Sequence, residues 1–272
     1  MTRVAIVIPA RFASTRFPGK PLVPLRGASG QARSLIARSI IAGQRAAEAV
    51  GAGCALFVAT DDTRIADEAR RAGAWVVMTS PRCRNGTERV AEALASLAIA
   101  PEIIVNLQGD APLTPPGFVA ALVRFLHEIP GASVATPVLR CSAEALARFR
   151  ADRAAGRVGA TTVVCDLRGR ALYFSKEVIP HTGERAEDGD GTPVFHHVGL
   201  YAFRPAALAA YTGWAPGPLE TLEGLEQLRF LENGHPVHAV EVQAAPGATF
   251  WELNNPEDVP RIEAALAEMG LD

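Results

Sequence analysis

Short apolar runs alternate with amphipathic segments through the first half of the chain. Val4–Ile8 is a β-branched run typical of a buried strand, and apolar residues recur at helical spacing over Ser34–Ala49. Continued alternation predicts three more strands, at Cys54–Thr60, Trp75–Met78 and Ile103–Leu107. Each is followed by a predicted helix, at Thr63–Ala72, Gly86–Ala98 and Pro116–Glu128 respectively. This order predicts an α/β fold, in which helices cover both faces of an open, mostly parallel sheet.

The pattern changes from Ser133 onward, where shorter strands replace the regular alternation. The predicted strands are Ser133–Val138, Thr161–Asp166, Ala171–Phe174, Val198–Phe203 and Val237–Val242, with a hairpin turn at Asp166–Gly169. Two helices are predicted, Pro218–Glu232, ended by Asn233-Gly234, and Pro256–Met269. The polar, Gly-rich segment His181–Pro193 is expected to form a mobile loop.

Composition narrows the class of protein. A length of 272 residues suits one large domain, or a main domain with a smaller lobe. The formal net charge of −2 gives no electrostatic case for binding nucleic acid or an anionic membrane. The apolar runs are too short for a signal sequence or a membrane span, which favours a cytoplasmic protein. The cysteines form no CxxC pair, which argues against a zinc site of that kind.

A cationic segment directly follows the first predicted strand. Arg11, Arg16 and Lys20 lie within ten residues, and Ser14 and Gly19 add small side chains and accessible backbone N–H groups. Ligands of such sheets bind beyond the carboxyl ends of the strands, so we expect this loop to bind phosphate. Its spacing is not that of a Walker A motif. The alternative is a solvated basic loop.

Carboxylates follow two other strands. Asp110 comes just after the strand that ends at Leu107, where it could hold Mg²⁺ together with phosphate oxygens. A turn or capping aspartate is the alternative. Asp61 and Asp62 follow an earlier strand, and could cap the next helix, bind metal or contact a ribose. Capping is favoured.

A third polar group lies in the second half of the chain. It comprises His196, His197 and Tyr201, with Glu220, Glu223, Glu226, Gln227 and Arg229 downstream. Such a concentration could recognise a hydroxyl-rich substrate. Structural histidines and a solvated helix face are the alternatives.

Seven segments together resemble the 3-deoxy-manno-octulosonate cytidylyltransferases, the CMP-Kdo synthetases. They are Ile8-Pro-Ala-Arg-Phe-Ala-Ser-Thr-Arg-Phe-Pro-Gly-Lys-Pro-Leu22, Val58-Ala-Thr-Asp-Asp62, Gly86-Thr-Glu-Arg89, Asn106-Leu-Gln-Gly-Asp110, Ala171-Leu-Tyr-Phe-Ser175, His197-Val-Gly-Leu-Tyr201 and Leu225-Glu-Gln-Leu-Arg229. They keep the family's order and cover nearly the whole chain.

The resemblance implies a single nucleotidyltransferase domain, residues 1–272, of the nucleotide-diphospho-sugar transferase (Rossmann-like) fold. A smaller α+β dimerisation lobe would be inserted at about 133–195. It implies the reaction CTP + Kdo → CMP-Kdo + diphosphate with Mg²⁺, in a cytoplasmic homodimer serving lipopolysaccharide or other cell-surface polysaccharide synthesis.

The resemblance also implies roles for individual residues. The nucleotide contacts would be Arg11, Ser14, Arg16, Lys20 and Gln108, and the catalytic groups Arg16, Lys20 and Asp110. The metal ligands would be Asp110 with Asn254, and the sugar contacts His197, Tyr201, Glu226 and Gln227.

Four positions depart from the family pattern: Ala111, Thr162, Gly183 and Asn254. Asn254 replaces an aspartate that helps to bind magnesium in the family, so metal affinity should fall unless Glu252, Asp258 or another carboxylate substitutes. Two alternatives to Kdo activation therefore stay open. One is activation of a related ulosonic acid, such as an amino-Kdo or a capsule sugar. The other is a non-catalytic nucleotide-binding paralogue.

Overall fold

A computed structural model describes residues 3–13, 17–97, 99–157, 160–183, 192–244 and 252–272. The strands in these ranges are β1 Val4–Ala10, β2 Pro24–Arg26, β3 Ala32–Ser34, β4 Cys54–Thr60, β5 Trp75–Met78, β6 Ile103–Leu107, β7 Val134–Arg140, β8 Thr161–Cys165, β9 Ala171–Ser175, β10 Phe195–His197, β11 Leu200–Phe203 and β12 His238–Glu241. The α-helices are α1 Leu35–Val50, α2 Thr63–Arg71, α3 Gly86–Leu94, α4 Pro116–Glu128, α5 Ala143–Ala154, α6 Pro205–Gly213, α7 Pro218–Glu223, α8 Leu228–Glu232 and α9 Val259–Glu268. Within these ranges, no helix is both long and apolar enough to cross a membrane.

The first four long strands form a parallel sheet in the order β5-β4-β1-β6. All seven residues of β1 are buried, as expected for a strand covered on both faces. In this register Ala10 lies opposite Thr60, and the carboxyl ends of β1, β4 and β6 meet at one edge. The segments that follow these strands are therefore brought together, and the α/β fold class is confirmed.

The sheet continues into an antiparallel half. Strand β11 pairs with β6 and β7, and β10, β8 and β9 follow beyond β7. Strand β12 pairs with β7 in parallel. The strands of the segment 133–195 thus extend the same sheet, while the role of that segment as a dimerisation lobe stays a prediction.

Local sequence signals set several helix starts. The side chains of Ser34, Asp62 and Asn85 cap α1, α2 and α3 by accepting backbone N–H groups of the first turn. Capping by Asp62 confirms the favoured reading of the Asp61-Asp62 pair. Helices α1 and α4 pack on one face of the sheet, and α3 and α6 on the other.

The prediction of a single helix over Pro218–Glu232 is wrong. Gly224 adopts a left-handed conformation, with φ of 62° and ψ of 38°, and ends α7. Residues 225–227 then form a bend before α8 begins at Leu228.

Several elements were not predicted: the hairpin β2–β3, helices α5 and α6, and strand β10 as a separate element. Of the expected loop at His181–Pro193, residues 184–191 lie outside the described residues.

Candidate active site

The cationic segment folds back on itself after β1. The Gly19 N–H donates to the Phe12 carbonyl at 3.0 Å, and Gly19 has a φ of 73° that suits glycine. Arg64, from α2, stacks over the Phe12 ring with its guanidinium carbon 3.5 Å from the ring centroid. Arg11 begins this segment with an exposed side chain. The predicted contacts Ser14 and Arg16 lie outside the described residues.

Lys20 and Asp110 meet at the shared edge of the parallel strands. The Lys20 Nζ lies 2.6 Å from the Asp110 Oδ2, although the two residues are ninety positions apart. The side chains are 14% and 25% exposed, so both charges remain within reach of solvent and ligand. This contact joins the cationic loop to the predicted magnesium ligand.

The turn that carries Asp110 is fixed by close backbone packing. A Cβ on Gly109 would lie 2.6 Å from the Pro9 carbonyl oxygen, so the ends of β1 and β6 could not approach this closely with a larger residue. The Ser39 hydroxyl of α1 lies 2.9 Å from the Gly109 carbonyl and 3.1 Å from the Leu35 carbonyl, either of which can accept its proton. The position of Asp110 therefore depends on β1, β6 and α1.

A chain of hydrogen bonds leads from this turn to the second polar group. The Gln108 amide donates to Asn106 at 3.3 Å, and the Asn106 amide donates to the Thr87 hydroxyl at 3.4 Å. The Thr87 backbone N–H and hydroxyl then donate to the two carboxylate oxygens of Glu226, at 3.3 and 3.2 Å. The structure thus connects two predicted contacts, Gln108 and Glu226, through Asn106 and Thr87.

His197 lies in a closed aromatic environment. Its ring is 5.0 Å from Phe174 and 5.5 Å from Tyr201, measured between centroids, and its Nε2 lies 2.9 Å from the Thr136 hydroxyl. Burial lowers the pKa of His197 to about 3, so the imidazole is neutral at physiological pH. Burial, and next the Glu226 carboxylate, raises the pKa of Tyr201 well above its ordinary value. Both side chains can therefore act as neutral hydrogen-bonding groups.

Glu226 and Gln227 lie in the bend between α7 and α8. Burial raises the pKa of Glu226, against the lowering effect of its bonds from Thr87. Gln227 is only 3% exposed, and its side-chain Nε2 has no hydrogen-bond partner within the described parts of the chain. A buried donor of this kind calls for an explanation, and a bound ligand is one.

Asn254 is held near Asp110 because the preceding residue, Leu253, bonds to the Asp110 backbone. The Leu253 N–H donates to the Asp110 carbonyl at 2.9 Å. The Asn254 side-chain amide in turn donates to Glu252 at 3.5 Å. The two predicted metal ligands are thus brought to one region, although they are 144 positions apart in the sequence.

Other charged residues of the second polar group have structural partners. Arg229 is buried between Glu220 and Glu88, with nitrogen to oxygen distances of 2.6 and 3.0 Å. Glu223 accepts bonds from Ser175 and from the backbone of Lys176. The reading of this set as a solvated helix face therefore does not hold for these residues.

Sequence reasoning missed two residues that touch the predicted site. Arg64 supplies a further cation beside the loop that follows β1, and Thr87 holds Glu226. Thr87 lies in a segment that carries the family resemblance, Gly86–Arg89, which was a usable signal. Arg64 had no comparable signal, since it is one of many surface arginines on helices.

Comparisons with known proteins agree with this arrangement. A family model described as Cytidylyltransferase matches residues 5–239. A 3-deoxy-manno-octulosonate cytidylyltransferase of Maricaulis maris (strain MCS10) is 42% identical over 98% of each chain. One of Chlamydia abortus (strain DSM 27085 / S26/3) is 40% identical over 96% of this chain and 92% of its own.

A solved structure is also similar to this chain. CMP:2-keto-3-deoxy-manno-octonic acid synthetase complexed with CTP matches with a TM-score of 0.78 and 30% identity, over 98% of this chain and 100% of the other. The predicted resemblance is confirmed by sequence and by fold. The chain is a nucleotidyltransferase and belongs to the 3-deoxy-manno-octulosonate cytidylyltransferase family.

Proposed function

We propose that this protein transfers a cytidylyl group from CTP to 3-deoxy-manno-octulosonate (Kdo), forming CMP-Kdo and releasing diphosphate. The observation that carries the proposal is the contact of Lys20 with Asp110 at the carboxyl edge of the parallel strands. It joins a cation suited to phosphate and a carboxylate suited to a divalent metal at the place where such sheets bind ligands. The names of the relatives support the choice of CTP and Kdo.

The reaction is a direct displacement. A hydroxyl oxygen of the sugar acid forms a bond to the α-phosphorus and loses its proton to water, as the bond to the bridging oxygen of diphosphate breaks and diphosphate leaves with that electron pair. No covalent enzyme intermediate is needed. Arg11, Ser14, Arg16, Lys20 and Gln108 would hold the nucleotide, with Arg16, Lys20 and Asp110 as the catalytic groups. Their contribution would be positioning and neutralisation of developing charge.

Magnesium is the proposed cofactor, held by Asp110 in the region of Asn254. When bound, the ion would neutralise negative charge on the phosphates. Within the described residues, no three His, Cys, Asp or Glu side chains are grouped as a metal site. Magnesium in nucleotide sites usually takes one or two carboxylates, and substrate phosphates and water complete its coordination. The donors present fit that arrangement.

The acceptor would contact His197, Tyr201, Glu226 and Gln227. The neutral imidazole and the neutral phenol are suited to sugar hydroxyls, and so is the Gln227 Nε2, which has no partner among the described residues. Their burial makes these contacts selective, because an acceptor that lacks a matching hydroxyl leaves a buried group unpaired.

A related ulosonic acid is the second candidate acceptor. Two departures from the family pattern favour it, Thr162 and Gly183. Thr162 donates to the Glu177 carbonyl at 2.6 Å and accepts the Ile179 N–H, so its hydroxyl fixes the start of the segment that leads to Gly183. If this segment borders the acceptor, as the resemblance implies, its alteration would change which sugar acid is accepted.

A cytoplasmic homodimer is the proposed state, serving lipopolysaccharide or other cell-surface polysaccharide synthesis. Leu172 on β9 and Leu222 on α7 are 62% and 82% exposed. Strand β9 is also the last strand in the sheet order, so it forms one edge of the sheet. Apolar side chains beside such an edge are compatible with an interface near the predicted lobe.

A diphosphate-release screen tests the proposal. The protein is incubated with CTP or UTP, Mg²⁺ and each of several sugar acids. Release with CTP and Kdo together, above either alone, is expected. Release with another ulosonate but not Kdo would move the activity to that sugar. Tight CTP binding without turnover across the panel would support the non-catalytic alternative.

A further inference from the structure

The segment Glu252–Asp258 contains Asn254 where the family resemblance implies a magnesium-binding aspartate. Another carboxylate would have to supply the missing charge. The Leu253 N–H holds the segment to the Asp110 carbonyl, and the Leu253 side chain is fully buried. Leu253 is therefore a fixed point beside Asp110. Glu252 precedes it and Asp258 follows, so each is near enough in sequence to be considered.

The Asp258 carboxylate is engaged in local hydrogen bonds. Its Oδ2 accepts the backbone N–H groups of Asn254 and Asn255, at 3.0 and 2.8 Å. Together with the Asn255 side chain it forms a capping box at the turn that leads into α9. Moving this carboxylate to a metal ion would leave two backbone donors unpaired.

Glu252 extends in the other direction, towards the Gln108-Gly109-Asp110 turn. Its Oε1 lies 3.0 Å from the point that a Cβ on Gly199 would occupy, and the Gln108 Cγ lies 3.8 Å from the same point. The missing side chain at Gly199 thus provides the space for this carboxylate beside Gln108. The Glu252 charge is also one of the causes that raise the pKa of Tyr201, which places it near the predicted acceptor contacts.

We propose that Glu252 supplies, together with Asp110, the carboxylate charge that holds the divalent cation in this protein, and that Asn254 contributes only a neutral amide. This inference rests on the proposed function. Oxygen ligands of this kind suit Mg²⁺, and the second negative charge restores what Asn254 lacks.

A metal titration tests the role of Glu252 without turnover. Mn²⁺ is added to the protein with CTP and no acceptor, and free Mn²⁺ is followed by electron paramagnetic resonance. We expect Glu252→Gln to weaken Mn²⁺ binding about tenfold, the scale of one lost charge contact. Glu257→Gln, which removes an exposed carboxylate from the same segment, should leave it unchanged.

A second arm adds Asn254→Asp to Glu252→Gln. Recovery of Mn²⁺ affinity in the double variant would support the proposal, because the charge would return from the neighbouring position. A double variant no better than Glu252→Gln would overturn it. So would Glu252→Gln binding as tightly as Glu257→Gln.

Asp110→Asn separates this inference from the proposed function. If Asp110→Asn loses Mn²⁺ and Glu252→Gln does not, the metal site stands and Glu252 is not part of it. If wild-type protein with CTP binds no Mn²⁺, the metal part of the proposed function fails and the inference fails with it.

Discussion

The two sides of the candidate site are built differently. On the proposed nucleotide side, Lys20 and Asp110 are charged, partly exposed and close to the ends of parallel strands. On the proposed acceptor side, His197 and Tyr201 are 6% and 4% exposed, and burial favours their neutral forms. The first side is suited to phosphate and metal, and the second to a neutral polyhydroxy surface. Loss of charge should therefore damage turnover, and loss of a single hydroxyl should damage acceptor binding.

The largest expected effect comes from removing the nucleotide-side cation. Lys20→Ala should lower kcat about 100-fold or more, the scale of losing one contact to transition-state charge. Steady-state diphosphate release measures it. Arg45→Ala, which removes an exposed cation from α1, is the control and should stay near wild type. Near-normal turnover in Lys20→Ala would remove Lys20 from the mechanism.

Backbone packing at the turn comes next. Gly109→Ala should destabilise the protein by about 1–3 kcal/mol, because the added Cβ meets the Pro9 carbonyl and the strand ends must separate. Urea unfolding measures the loss, and kcat should fall as Asp110 moves. Gly117→Ala is the control, since a Cβ at that helical position meets no atom within 4 Å. Equal stability of the two variants would contradict the close approach of the strands.

The acceptor side should respond through KM. Tyr201→Phe should raise the KM for the sugar acid about tenfold, as expected when a buried hydrogen bond to substrate is lost, and leave the KM for CTP unchanged. Initial-rate measurements with each substrate varied in turn separate the two constants. A rise in both constants, or in neither, would argue against a direct acceptor contact.

The smallest effect concerns stability in acid. Burial lowers the pKa of His196 to about 4 and of His197 to about 3, whereas both groups titrate near 6.5 in an unfolded chain. As the pH falls below about 6.5, the unfolded chain binds protons that the folded protein does not. The free energy of unfolding should therefore fall by at most about 1.4 kcal/mol per pH unit for each histidine.

Urea denaturation at pH 7, 6 and 5 measures this slope. His197→Asn should reduce it, while His127→Gln, at an exposed position, should not. An unchanged slope in His197→Asn would mean that this imidazole is not buried as described.

The sequence predicted the parallel half of the fold closely. Strands β4, β5 and β6 and helix α4 begin and end at the predicted residues, because short apolar runs and proline-started helices leave local signals. Helix α5 was missed, since its polar and apolar residues show little separation. The helix predicted at Pro218–Glu232 failed at Gly224, a local helix-stop signal that the amphipathic spacing on either side of it outweighed.

The site was predictable in type but not in geometry. Basic residues after one strand and an aspartate after another indicated phosphate and metal chemistry. The bond from Leu253 to Asp110 and those from Thr87 to Glu226 join residues more than a hundred positions apart. Such contacts are set by the tertiary fold, so periodicity and local propensity cannot supply them.

The bend at Gly224 bears on how substrate choice could diverge within this fold. Helices α7 and α8 are joined across the bend by the ion pair of Glu220 with Arg229. This ion pair does not involve the side chains of the bend residues 225–227, so substitutions at those residues leave it in place. Loops between anchored elements tolerate substitution better than the elements themselves. If Glu226 and Gln227 contact the acceptor as proposed, single substitutions here would change acceptor preference and leave Lys20 and Asp110 unaltered.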